Sequence, residues 1–396
     1  MVRLYGRLFK REEILRYVGS IDQIGGVKLL EAQEGVERNV KLISMNTGEL
    51  RLLIVVDRGL DIANAEYRNV PLAWISPTGL AAPFFFEPEG FGWLRGFFGG
   101  LLTTCGLTYL GAPTIDMGER LGLHGRISYA PAKLIRVEGY WSGDEYIMVV
   151  EGVCSEVRVF GPNLVLRRRI ESKLGSRVVK IEDTIVNEGW EPQPLMVLYH
   201  FNFGFPLVDE DAYLVSTSKL YVPRDKDAEE NAEKFDRFQR PTKGFREKVY
   251  FHEMASDDEN YAYAAIFNSR IMDGLGVYVK WRKDELNRFI EWKMMGEGTY
   301  VVGLEPANCL VLGRDKERSW GTLRFIQPRE KRVIDMEFGV LVGMDEINEF
   351  SEKIYSITQG VKPKMLKTID EFVEATRLRG SIVDGPGAGG MGKSRV

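Results

Sequence analysis

Histidine and cysteine are scarce in this chain, three of each among 396 residues. The cysteines, Cys105, Cys154 and Cys309, are odd in number, far apart, and contain no CxxC pair. They fit a reducing, cytoplasmic setting better than a disulfide framework. No run of about 18 apolar residues is present, so no spanning helix is expected. The opening "MVRLYGRLFKREEILRY" is charged where a secretory signal would be apolar. Neither sign of charge dominates: 53 Lys and Arg stand against 57 Asp and Glu, a net charge of −4. Such a balance provides no field to draw in nucleic acid or an anionic membrane, and neither is expected as a partner. Glutamine is also rare beside 28% charged residues, a composition that leans toward heat adaptation. No HxH or HExxH pair occurs, so no metal is expected.

What the chain does have is many short alternating segments. "RLLIVVD" (51–57) reads as a strand ending at a turn. "NLVLRRRIESKL", Gly175-Ser176 and "RVVKIEDTIVNEG" read as a hairpin. "EYIMVVEGV", "LGVYVKW", "TYVVGLE" and "KRVIDMEFGVLV" continue the pattern. Regular βαβ alternation and long repeats are missing, which disfavours a doubly wound sheet and a propeller. The expectation is an all-β fold of large antiparallel sheets over residues 26–345. A helical extension is expected over 1–25, with a helix at 8–18 that sets Leu8, Ile14 and Leu15 near one face. A helical segment is expected at 346–380, packing on the sheet, with a disordered Gly-rich tail at 381–396. The tail holds "GAGGMGKS" (387–394), which has the spacing of a phosphate loop. Only two residues follow it, so no helix can hold a phosphate there, and nucleotide binding is not expected. Residues 224–249 are dense in charge and read as a solvated insertion.

Two histidines stand in suggestive places. His124 lies in "GLHGRIS" (122–128), where flanking glycines would let a ligand approach closely. His200 lies in "MVLYHFNFGFP" (196–206). On a strand, His200 and Asn202 would share one face, while Phe201 and Phe203 point to the other. The third, His252, falls in "YFHEMASDDEN" and reads as a surface residue. Glu305, in "TYVVGLEPANC" (299–309), ends an apolar strand, where desolvation would raise its pKa. Each alone is more simply structural. Together they make a proton-transfer site, and Asn202, Asp57, Arg58, Arg126, Trp281 and Trp292 are candidates to hold its substrate.

The run "IVNEGWEPQPLMVLYHFNF" (185–203) resembles the galactose mutarotase (aldose 1-epimerase) superfamily. "GLHGRIS" is similar to its earlier His-Gly motif, and "VVGLEPANC" to its late strand bearing the catalytic glutamate. "FFGGLLTTCGL" (97–107) resembles the Gly-Gly segment of its hexose-6-phosphate epimerase branch. The resemblance covers about residues 25–345 and points to a divergent subfamily. It implies a β-supersandwich and a cofactor-free sugar mutarotase. In that scheme His200 is the general acid, Glu305 the general base, and both stand on opposite sides of the hemiacetal with near-neutral pKa values. His124 orients a monosaccharide. The branch's phosphate-binding arginines are replaced by Phe98 and Ser128, while Arg58 and Arg126 leave room for an acidic sugar. A carbohydrate-binding module and a metal-dependent isomerase or lyase are the competing readings. A monomer or homodimer is expected.

Overall fold

A computed structural model describes residues 1–377. The tail motif at 387–394 lies outside the described residues. Among those described, two large sheets dominate, one of 12 strands and one of 8. Neighbouring strands pair antiparallel throughout, except that Lys364–Met365 adds parallel to Ser218–Pro223. The expected hairpin forms, with strands Asn163–Lys173 and Val178–Asn187 around a turn holding Gly175 at φ 78°.

The layering follows from the period of two along each strand. In Met196–Gly204, Val197, Tyr199, Phe201 and Phe203 enter the core between the sheets. Met196 and Leu198 enter a second apolar cluster on the outer face of the larger sheet. Thr299–Ala307 repeats the arrangement: Val302 and Leu304 face inward, and Ala307 faces outward. The inter-sheet core stiffens the strands, and the outer face is left to carry a cleft.

The inter-sheet core also holds a charged knot. Arg168 makes a bidentate pair with Asp183, at 2.9 and 2.7 Å, and a 2.8 Å bond to Asp61. Its remaining donors reach the Thr104 hydroxyl and the Gly59 carbonyl. Tyr199 donates to Asp183 at 2.7 Å. All of these side chains are buried. Every strong donor and acceptor there has a partner, which such burial requires. The knot ties the Asn163–Lys173 and Val178–Asn187 strands to three strands of the larger sheet.

The N-terminus departs from the expected helix, whereas the C-terminal segment is helical and packs on the sheets as expected. The chain opens with a hairpin, Val2–Leu4 against Arg7–Phe9, before the helix Arg11–Tyr17. Tyr5 and Gly6 turn with positive φ, so the residues before Lys10 pair as strands rather than winding. Only Ile14 of the expected apolar trio is buried; Leu8 and Leu15 are exposed. At the other end, Met344–Thr358 sets Ile347 against Ala265 and Phe267 on the smaller sheet. Ile369–Thr376 buries Phe372 and Val373 on the outer face of the larger sheet. No helix among the described residues is long and apolar enough to cross a membrane.

Candidate active site

The outer face of the larger sheet carries a cleft of about 500 Å³. His200 and Glu305 meet there because of strand register. Leu198 pairs with Ala307 and Phe201 with Leu304, so His200 falls directly opposite Glu305 on the neighbouring strand. Cross-strand partners on one face are close enough for their side chains to touch. His200 Nε2 lies 3.1 Å from Glu305 Oε1. That oxygen makes no hydrogen bond, and neither does His200 Nδ1. The expected arrangement on opposite sides of a substrate is therefore replaced by a contiguous pair.

Burial dominates the electrostatics. It lowers the His200 pKa to about 3, with neighbouring His124 adding to the fall. Burial also lowers His124 to about 4. Glu305 is pushed well above the usual carboxylate range by burial, with Glu247 reinforcing the rise and Arg224 opposing it. These directions favour a neutral imidazole beside a protonated carboxyl, rather than the near-neutral histidine that the sequence suggests.

His124 reaches the same cleft from a loop, at φ 56°, with its ring 6.4 Å from that of His200. Trp93 meets its edge at 4.8 Å. The flanking glycines have a different purpose from the one expected. A Cβ on Gly125 would stand 2.3 Å from the Gly106 carbonyl oxygen, and one on Gly122 would stand 1.9 Å from that of Pro88. They admit neighbouring backbone, not a ligand, and so fix the loop that presents His124. Trp292 also lines the cleft, its ring 5.4 Å from His200.

The other proposed substrate residues fall elsewhere. Arg58 is fully buried and donates to the carbonyls of Ser128, Ala81 and Gly96. Three loop carbonyls needed a donor, and the guanidinium supplies it. Asp57 accepts a 2.7 Å bond from the Lys41 amide and takes no part in the cleft. Arg126 opens onto a different cavity. Asn202 shares the His200 face as expected but lies beneath the cleft, donating to the Gly99 and His200 carbonyls. Trp281 is core, its indole bonded to the Leu286 carbonyl.

His252 is not at the surface. It lies on the strand Lys248–Met254, fully buried, with Nδ1 2.9 Å from the Ser218 hydroxyl and Nε2 3.6 Å from Glu291. The polar loop begins only after Met254, so the strand extends further than its composition suggests. Residues 224–249 are likewise no solvated insertion. Ala228, Ala232, Phe235 and Phe238 are buried, and the segment straps the sheet.

The ends of that strap bring two residues to the cleft that sequence reasoning missed. Arg224 bonds Glu247 at 2.9 Å, and the Trp292 indole donates to Glu247 at 2.8 Å. Their signal was position: each charge abuts a strand at one edge of the charged run. Trp74, Trp93 and Phe97 complete an aromatic wall. Gly303 was also missed, two residues before Glu305 and hence on its face. A Cβ there would lie 2.5 Å from Glu305 Oε1 and 3.2 Å from His200 Cε1. Among the described residues, no group of three or more His, Cys, Asp or Glu side chains is placed to hold a metal ion.

The paired sheets and the outer-face cleft define a galactose mutarotase-like fold. A Klebsiella pneumoniae protein described as a provisional aldose 1-epimerase superposes with a TM-score of 0.82 at 23% identity, over 88% of this chain and 93% of that one. A galactose mutarotase-like protein from Clostridium acetobutylicum gives 0.57 at 16%, over 81% and 99%. A galactose 1-epimerase from Lactobacillus acidophilus gives 0.51 at 13%, over 80% and 99%. Residues 37–340 match the family described as "Domain of unknown function (DUF4432)", and the chain belongs to it. A sequence search of curated proteins gives no match.

Proposed function

We propose that this protein interconverts the anomers of a neutral monosaccharide by acid–base ring opening and closure. The observation that carries the reading is the His200–Glu305 pair, buried, 3.1 Å apart and facing an aromatic-walled cleft. The ring oxygen and the anomeric hydroxyl of a pyranose hang from one carbon. Two adjacent groups can therefore serve both.

In the resting pair the proton sits on Glu305. The carboxyl gives it to the ring oxygen as the bond from that oxygen to the anomeric carbon breaks. The His200 imidazole takes the proton of the anomeric hydroxyl. An open-chain aldehyde, a carboxylate and an imidazolium result. After rotation of the carbonyl, the imidazolium returns its proton to the carbonyl oxygen. The carboxylate takes the proton of the ring hydroxyl as that oxygen attacks the other face. Transfer of one proton within the pair gives the opposite assignment, with His200 as acid and Glu305 as base. The reaction runs in both directions, so both tautomers belong to one cycle.

Charge supports a neutral sugar. Arg224 is the arginine in the cleft lining, and Asp225 and Glu247 already pair with it. Arg58 and Arg126, the basis for an acidic sugar, lie outside this cleft. The test is saturation-exchange NMR between α and β anomers. Its pH profile should be a plateau between two falls. Activity falls toward about pH 3, where His200 takes up a proton and no base remains. A second fall comes above the ordinary carboxylate range, where Glu305 loses its proton and no acid remains. A single fall centred at an unperturbed histidine pKa would contradict the assignment.

Gly303→Ala supplies a second check. The added methyl must displace the Glu305 carboxylate, the His200 ring or both, and we expect a rate loss of up to about 10²-fold. The thermal midpoint should change little by comparison, because the crowding falls on side chains at the cleft rather than on the inter-sheet core. Unchanged exchange in Gly303→Ala would show that the spacing of the pair is not critical.

A further inference from the structure

A second cavity, of about 1120 Å³, lies behind the wall that presents His124. Three loops form the partition, and each contributes to both sides. Phe91 and Trp93, Ala112, and Leu123 and His124 face the cleft, while Phe86, Pro113 and Arg126 face the second cavity. The partition is tightly bonded. The Arg126 amide donates to the Gly106 carbonyl at 2.8 Å, and the Gly106 amide donates to the His124 carbonyl at 3.0 Å.

The charges of the second cavity are unequally satisfied. Its acids are mostly committed: Glu156 accepts the Leu107 and Thr108 amides, and Glu119 pairs with Arg158 and Arg314. Glu89 stands at its exposed edge. Among the described residues, neither Arg120 nor Arg126 pairs with a carboxylate, and both are exposed in the lining. Arg126 also lies over the Phe86 ring at 5.1 Å, and Phe86 stacks on Tyr129 at 4.3 Å. Unpaired guanidinium donors above an aromatic floor suit a carboxylate or phosphate attached to a small organic body.

We propose that this cavity is a second binding site, for a small organic anion, and that its occupancy is felt at His124 through the shared wall. The anion would be held by Arg120 and Arg126, with its carbon skeleton against Phe86. Arg126 is two residues from His124, so a ligand that draws the guanidinium acts on the backbone that sets the imidazole. The site does not depend on the anomerase reading, because its test reads binding and not turnover.

The chain's three histidines make that test simple, because their ring signals can be assigned one by one. Inorganic phosphate, glucose 6-phosphate, gluconate and glucuronate are titrated into labelled full-length protein at matched ionic strength, with chloride as the control. Saturable movement of the His124 signal by one or more of the anions is expected, with His252 unmoved. Phosphates and carboxylates form separate arms, and whichever binds more tightly names the anion. Arg126→Ala and Arg120→Ala should each weaken that anion by about tenfold or more. Arg126→Lys, which keeps the charge without the planar fork, should fall between. Three results would overturn the proposal: no saturable shift from any anion, equal movement by chloride, or affinity unchanged in both alanine variants.

Discussion

Glu305→Gln slows anomer interconversion by about 10²–10⁴, and His200→Ala does so to a similar degree. Both substitutions leave one group of the pair with no partner for the returning proton. Glutamine preserves the size of the side chain but can neither gain nor lose a proton, so its effect isolates chemistry from packing. The double variant should be scarcely slower than either single one, because the pair acts as a unit. Sugar binding, read by line broadening or calorimetry, should survive in Glu305→Gln, since the aromatic wall and the Arg224–Glu247 pair remain. If each single variant kept near wild-type exchange, the proton-transfer account would fail. If the losses multiplied, the two groups would act separately.

The second large effect concerns the fold. Arg168→Met should destabilise the protein by about 3–5 kcal/mol, because Asp61 and Asp183 would be left buried beside one another without their cation. For a chain of this size that is a fall in Tm of roughly 5 °C. Asp183 loses its bidentate partner and keeps only the Tyr199 hydroxyl among its side-chain donors. Arg168→Lys should recover part of the loss, since it restores charge but not the planar fork. The knot lies immediately beneath the site: Tyr199 precedes His200, and Thr104 follows Thr103, which pairs with His200 across the strands. Exchange activity should therefore fall in the same variants as the strand that carries His200 loosens. Calorimetry on Arg168→Met decides the matter, and an unchanged melting temperature would contradict it.

Much of the frame was written in alternation. His200 and Asn202 share a face opposite Phe201 and Phe203 because a strand has a period of two, and the aromatic pair found the core. The link between His200 and Glu305 was readable only through motif order, since over a hundred residues separate them and register alone joins them. Charge was the poorest guide. Arg58 read as a ligand residue, yet loop carbonyls distant in sequence consume its donors. Arg126 read as a neighbour of His124, but the tight Gly125 turn sends it to the opposite side of the wall. His252 was hidden by the polar residues that follow its strand. Residues 224–249 carry their buried aromatics at spacings diluted by lysine, glutamate and aspartate, so neither period stands out. Arg224 and Glu247 lie at the ends of that segment, and only folding shows that the ends meet over Trp292.

The most direct test is saturation-exchange NMR of the wild-type protein and Glu305→Gln with neutral aldoses, uronic acids and sugar phosphates. The account predicts accelerated exchange for at least one neutral aldose, none of comparable size for its phosphorylated or acidic counterpart, and loss of the acceleration in Glu305→Gln. Saturable sugar binding with no accelerated exchange in the wild type would contradict it and leave a carbohydrate-binding protein on a mutarotase-like scaffold.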